Sequence, residues 1–196
     1  MEQTRRRGAE LEAGLLDAAW DELLESGYAR LTMEAVAARA QTGKQVLYRR
    51  WRNRAELVLA AMRHRTGSIV DDIPDTGSLR EDVLAVLQRM ADRFELLGPD
   101  VIHGLLAAAP DLDPDVFTRM SGVMKVIVQR AAERGEIPTA DVPDRVLTAP
   151  TNLLRHEIFL TRDPVAASTL LSLVDDVFLP LVVVQRSRGQ ARSGGS

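Results

Sequence analysis

The chain has 196 residues, of which 45% are hydrophobic and 27% are charged, so it is long enough to bury a core and too apolar for a disordered chain. The absence of Cys excludes disulfides, cysteine nucleophiles and Cys-ligated metals, and the three His, at positions 64, 103 and 156, are too scattered to favour an all-His metal site. Its apolar runs are too short for a membrane span, the Arg-rich N-terminus lacks a signal-type segment, and no phosphate-binding Gly loop occurs. We therefore expect a soluble, cytoplasmic protein with no membrane partner, metal or cofactor.

The first third of the chain is predicted to form one long helix and three shorter ones. Gly27 follows an apolar stripe at a left-handed C-cap position, and Thr32 stands at an N-cap. Asn53 and Glu56 have the spacing of a capping box. The predicted helices run from about Arg7 to Ser26, Met33 to Ala40, Lys44 to Trp51 and Asn53 to Met62.

The remainder is also predicted to be helical. Gly and Pro residues mark a linker at about residues 66–78, and a capping box at Ser78 opens a long helix behind it. Pro150 should kink a helix from about Asp144 to Leu160, and Asp163-Pro164 starts a last long helix with a wide apolar face. Residues 186–196 are mostly Arg, Ser and Gly and are predicted to be a disordered tail. We predict an all-α fold of about nine helices in two domains, residues 9–69 and 78–185.

Charge is concentrated in one short segment. Residues 39–65 contain eight basic residues and one acid, Glu56, a net charge of +7. The rest of the chain has 17 basic and 27 acidic residues, a net charge of −10. A cationic block on an acidic chain indicates a polyanionic partner, although such a run is by itself often only a solvated helix face.

The position of the cationic block favours DNA as that partner. Two short helices with a tight Gly-containing break between them, over residues 32–51, have the form of a helix-turn-helix, whose second helix enters the major groove. Val46, Leu47 and Trp51 should anchor that helix. The residues expected to contact double-stranded DNA are Thr32, Thr42, Gly43, Lys44, Gln45, Tyr48, Arg49, Arg52 and Arg54. Of these, Thr42, Lys44, Gln45 and Tyr48 should read bases, and the others should position the protein on phosphates.

These residues also carry a family resemblance. The matching blocks are Leu15-Leu16-Asp17-Ala18-Ala19, Gly27-Tyr28, Leu31 to Ala37, Gly43 to Trp51 and Asn53 to Leu57. In this order they resemble the DNA-binding domain of the TetR/AcrR transcriptional regulators over about residues 9–69. The chain departs from the family pattern at Gln41, where Gly is usual, and at Gln45 and Val46 on the recognition helix, which bear on the operator sequence.

The resemblance implies a function as well as a fold. It implies a homodimeric regulator, most often a repressor, whose C-terminal domain binds a small-molecule effector of unknown identity that changes the separation of two DNA-reading heads. The wide apolar faces of the last two long helices suit a dimer interface. Symmetry then predicts a roughly palindromic operator with major-groove entries about 34–36 Å apart.

The effector site has no motif, so its residues are only candidates. A helical enzyme, a regulator without effector, an activator and a coregulator without DNA binding remain alternatives, and no nucleophile–base pair emerges as catalytic. Arg155 could pair with a ligand carboxylate or, as we prefer, with an acid at an interface. Side chains of these types are more often plain core, or ordinary satisfied His, than ligand contacts. The pocket candidates are Met90, Phe94, His103, Phe117, Met120, Met124, His156 and Phe159.

Overall fold

The computed structural model describes residues 2–184 apart from 69, 109, 111, 113, 114 and 162, and it describes no side chains for residues 2–7, 115–120 and 184. The described part of the chain is all-helical and contains no strand, which confirms the predicted fold class. The predicted tail at residues 186–196 lies outside the described residues. The helices are α1 (Glu2–Ser26), α2 (Met33–Arg39), α3 (Lys44–Tyr48), α4 (Arg54–Thr66), α5 (Leu79–Leu97), α6 (Pro99–Ala107), α7 (Asp115–Glu133), α8 (Asp144–Leu160), α9 (Ala167–Ser172) and α10 (Leu179–Val184), with a π-helical turn at Leu173–Phe178 between the last two.

Two predicted helices were wrong in detail. The third ends at Tyr48 rather than Trp51, where the backbone N–H of Arg50 bonds at 2.9 Å to the carbonyl of Leu47, three positions back instead of the four of an α-helix. The last is not one α-helix from Asp163-Pro164, because it begins at Ala167 and widens into the π-helical turn. Pro180 lies just after that turn and has no N–H to donate, which interrupts the α-helical hydrogen-bond ladder there.

One compact unit comprises residues 1–68 and 100–112, so that α6 belongs with α1–α4. Its core is apolar and includes Leu15, Leu23, Leu31 and Leu57, each at most 2% exposed. At the end of α1, Gly27 has φ +73° and donates its N–H to the carbonyl of Leu23 at 2.9 Å, as the predicted left-handed cap requires.

The described residues of the other compact unit lie within 69–99 and 113–184. Val83, Leu87, Ile127, Leu154 and Phe178 are completely or almost completely buried in its core. The predicted cap at its first helix is confirmed, since Ser78 Oγ accepts the N–H of Glu81 at 3.5 Å.

Charged groups of this second unit pair with one another. Arg80 holds Asp175 with two hydrogen bonds of 2.7 and 2.8 Å, which lower the pKa of the Asp175 carboxyl. Asp82 is fully buried, and its Oδ1 accepts from the N–H and hydroxyl of Thr76 at 2.6 and 2.8 Å. Its Oδ2 has no hydrogen-bond partner among the described residues, but it lies 3.5 Å from Arg134 Nη2, which is close enough for charge pairing.

Two features are absent from the described part of the chain. No helix among its residues is both long and apolar enough to cross a bilayer. Nor do they contain a group of three or more His or carboxylate side chains placed to hold a metal ion.

Candidate nucleic-acid interface

The turn between α2 and α3 is a Schellman motif. The N–H of Thr42 bonds to the carbonyl of Ala37 at 2.9 Å, and the N–H of Gln41 bonds to that of Ala38 at 3.1 Å. Gln41 therefore occupies the left-handed position with φ +50°, which a Gly would adopt without strain. This backbone requirement explains why Gly is the usual residue where this chain has Gln41.

The start of the helix-turn-helix is fixed by capping and by ion pairs to α1. Thr32 Oγ1 accepts the N–H of Ala35 at 3.1 Å, as predicted for an N-cap, so this N–H is no longer available to an anion. Arg39, in the last turn of α2, pairs with Glu22 at 2.9 Å and with Glu25. These two hydrogen bonds raise the pKa of Arg39 and tie α2 to α1.

The recognition helix α3 has one buried face and one exposed face. Leu47 is completely buried, and Trp51 just beyond the helix is 8% exposed, so both anchor α3 as predicted. The third predicted anchor, Val46, is only half-buried. On the opposite face the Lys44 side chain is 61% exposed and Tyr48 is 48% exposed. The two side chains that matter most for the DNA-binding hypothesis therefore face outwards.

The surface around α3 is mainly cationic. Gln45, Arg49 and Arg52 are exposed, Gly43 is exposed at the N-cap of α3, and Thr42 is half-buried in the turn before it. One carboxylate, Glu34, lies 3.6 Å from Lys44 Nζ, a distance that leaves the ammonium group solvated.

Arg54 lies at the start of α4 and contacts the protein itself. Its Nη1 lies 3.3–3.4 Å from the carbonyl oxygens of Tyr28, Ala29 and Leu31, and its guanidinium stands 4.7 Å from the centre of the Tyr28 ring. Sequence reasoning assigned Arg54 only to a flanking phosphate and missed this intramolecular role. No sequence signal could have revealed it, because the partners are backbone carbonyls 23 to 26 positions away.

Comparisons with known proteins agree with this geometry. Residues 15–61 match the family model for bacterial regulatory proteins of the tetR family, and residues 73–177 match the model for the tetracyclin repressor-like C-terminal domain. A Mycobacteroides abscessus protein named DNA-binding transcriptional repressor TetR is 31% identical over 90% of this chain and 96% of its own length. The chain belongs to the TetR family.

Other relatives support the same conclusion. An HTH-type transcriptional regulator of Mycobacterium tuberculosis is 32% identical to this TetR-family chain over 81% of each sequence. The solved TetR family transcription regulator SCO0332 is 25% identical, covers 86% of this chain and 97% of its own, and superposes with a TM-score of 0.63. The resemblance drawn from the sequence is thus confirmed, and this TetR-family member is a DNA-binding transcriptional regulator rather than an enzyme.

The predicted effector residues of this TetR-family chain fall in both compact units and differ in burial. Met90 and Met124 are buried in the second unit, and Phe94 is half-buried there. His156 and Phe159 are exposed on α8, whereas His103 lies on α6 in the first unit. The side chains of Phe117 and Met120 lie outside the described residues. The effector site therefore stays a prediction.

Arg155 on α8 is half-buried and donates to Asn152 Oδ1 at 2.7 Å. Burial lowers the pKa of its guanidinium. In the described part of the chain no carboxylate lies within ion-pair distance of it, so the interface pair predicted for Arg155 remains a prediction.

Proposed function

We propose that this regulator is a homodimeric repressor that binds a roughly palindromic operator and is released by a small-molecule effector. The observation that carries the proposal is the exposed cationic face of α3, with Lys44 and Tyr48 pointing away from a fully buried Leu47. The relative named as a repressor supports repression. Its DNA target implies a cytoplasmic location.

We assign two roles within the DNA interface. Thr42, Lys44, Gln45 and Tyr48 read base edges, because they lie at or near the N-terminal end of α3, which a helix-turn-helix points into the major groove. Phosphate contacts from the remaining candidates position the protein and make its affinity depend strongly on salt. Those candidates are Thr32, Gly43, Arg49, Arg52 and Arg54.

The dimer is supported by exposed apolar residues on the last helices of the second unit. Leu153 and Leu160 on α8 are 38% and 64% exposed, and Leu171, Leu181 and Val183 near the C-terminus are 38–53% exposed. Large apolar side chains exposed on successive helices, here α8, α9 and α10, are typical of a face covered by another protein surface. A second copy would bury this face and present two α3 helices to one duplex.

The effector is proposed to bind within residues 78–185, whereas residues 9–69 form the DNA-binding domain. The match of residues 73–177 to the tetracyclin repressor-like C-terminal domain supports this division. Met90 and Met124 are buried apolar side chains of the kind that line ligand cavities.

The two lysines of the chain provide a matched test. Lys44 and Lys125 are 61% and 57% exposed, and each lies near one carboxylate. We expect Lys44→Ala to weaken binding to a duplex selected from random DNA by the wild-type chain, by about tenfold or more. It should also lower the NaCl concentration at which the protein elutes from heparin.

Lys125→Ala is the control for a lost positive charge, and it should leave affinity for the selected duplex unchanged. Equal effects of the two substitutions, or no effect of Lys44→Ala, would contradict the proposal.

A further inference from the structure

Gly104 on α6 lies against the ring of Tyr28 in the first compact unit. A Cβ atom built at position 104 would come closer than 3.0 Å to three carbons of that ring, Cδ1, Cε1 and Cγ. Tyr28 is 4% exposed, so its ring has little room to move away. Only glycine fits this approach between α6 and the loop after α1.

The Tyr28 ring is in turn linked to both ends of the helix-turn-helix. Arg54 stacks on the ring at 4.7 Å and contacts the carbonyls of Tyr28, Ala29 and Leu31. The next residue, Thr32, caps α2, while Arg54 itself follows Trp51 by three positions. The Tyr28–Arg54 pair therefore joins the segment before α2 to the segment after α3.

From this arrangement we propose that Gly104 is a positioning residue for DNA recognition, through which α6 sets the placement of α3 by way of Tyr28 and Arg54. A larger side chain at position 104 displaces the ring. The displaced ring moves Arg54 and the carbonyls that it holds, and α3 shifts between them. Base contacts need side chains placed to within about 0.5 Å, so a small shift suffices to weaken reading. The inference rests on DNA binding by α3 but requires no particular effector.

The test compares two helical glycines of the same unit. Gly104→Ala adds a methyl group against Tyr28, whereas Gly14→Ala on α1 adds one where no atom lies within 4 Å. We expect Gly104→Ala to weaken binding to the selected duplex by about tenfold, which is the loss in affinity expected when one good base contact is removed. Gly14→Ala should leave that affinity unchanged.

Two readouts separate positioning from loss of structure. Elution from heparin depends on exposed charge, so it should be the same for Gly104→Ala as for the wild type, whereas unfolding would change it. In a Tyr28→Leu background the obstructing ring is gone, and the substitution Gly104→Ala should then cause no further loss of affinity. If Gly104→Ala alone does not fold, this pair of Tyr28→Leu variants decides the question.

The outcomes are distinct. Wild-type affinity of a folded Gly104→Ala variant, or an equal loss in both Tyr28 backgrounds, would overturn the positioning role while leaving DNA binding intact. If the wild-type chain selects no sequence from random DNA, the failure lies with the proposed function instead.

Discussion

The two compact units use their charged side chains differently. In the second unit, Arg80 holds Asp175 with two hydrogen bonds, and Arg134 contacts Glu136 at 2.6 Å. In the helix-turn-helix, Arg49 has no ion pair among the described residues. The carboxylate beside Lys44 is that of Glu34, whose Oε1 lies 3.6 Å from Lys44 Nζ. The comparison teaches that Arg80 and Arg134 stabilise the second unit from within, while Lys44 and Arg49 are left for an external polyanion.

The largest expected loss of stability comes from removing a buried side chain that anchors α3, which leaves the charge of the cationic surface unchanged. Trp51 is 8% exposed, and Trp51→Ala should lower the free energy of unfolding of the first unit by about 3–5 kcal/mol through the cavity that it creates. Chemical denaturation measures this loss. Arg49→Ala is the control and should leave stability nearly unchanged, because its side chain is exposed. A Trp51→Ala protein as stable as the wild type would show that α3 is not held by this side chain.

A smaller loss is expected when a buried charge of the second unit is removed. Asp82→Ala would leave the N–H and hydroxyl of Thr76 without their acceptor, and we expect destabilisation by about 2–3 kcal/mol. Asp82→Asn retains an acceptor oxygen and should cost less. If the two variants are equally stable, the hydrogen bonds from Thr76 do not stabilise this unit.

Acid should weaken the second unit through its paired carboxylates. Hydrogen bonding to Arg80 lowers the pKa of Asp175 below its unfolded value near 4, so its contribution is present above that pH and is lost as pH falls through the lower folded-state pKa. Burial opposes ionisation of Glu136, but the Leu79 N–H and Arg134 outweigh it and lower its pKa as well.

Unfolding of Asp175→Asn below pH 4 should therefore depend less steeply on pH than that of the wild type. Asp176→Asn is the control, because Asp176 has no ion pair among the described residues. If the stability of Asp175→Asn depends on pH in the same way as that of the wild type, Asp175 does not contribute to the acid sensitivity of the second unit.

The smallest effect is expected in the turn before α3. Gln41→Gly relieves the left-handed backbone strain but adds flexibility to the unfolded chain, so stability should change by no more than about 1 kcal/mol. Gln41→Val, which is β-branched, should be clearly less stable than either. Equal stability of all three in thermal unfolding would show that the left-handed position is unstrained.

Local sequence patterns predicted much of this fold, because the interactions that produce those patterns join residues only a few positions apart. The caps at Thr32, Asn53 and Ser78 were confirmed, since each side chain accepts an N–H three positions along the chain. The exposed and buried faces of α3 also followed from the spacing of Lys44, Leu47 and Tyr48.

Features that depend on distant parts of the chain were missed. The role of Arg54 requires the carbonyls near Tyr28, and the approach of Gly104 to that ring requires α6 to pack in the first unit. The effector candidates were chosen by residue type alone, and residue type does not determine which side chains a fold brings together. The exposed positions of His156 and Phe159 show this.

The most direct test of the central claim is methylation interference at guanine N7, which lies in the major groove. On the selected duplex, the wild-type chain should show interference at guanines in two half-sites about 10 base pairs apart. Lys44→Ala or Gln45→Ala should abolish interference at particular guanines in both half-sites, because α3 reads them. Interference that is absent from the major groove, or that neither substitution changes, would contradict the assignment of α3 as the recognition helix.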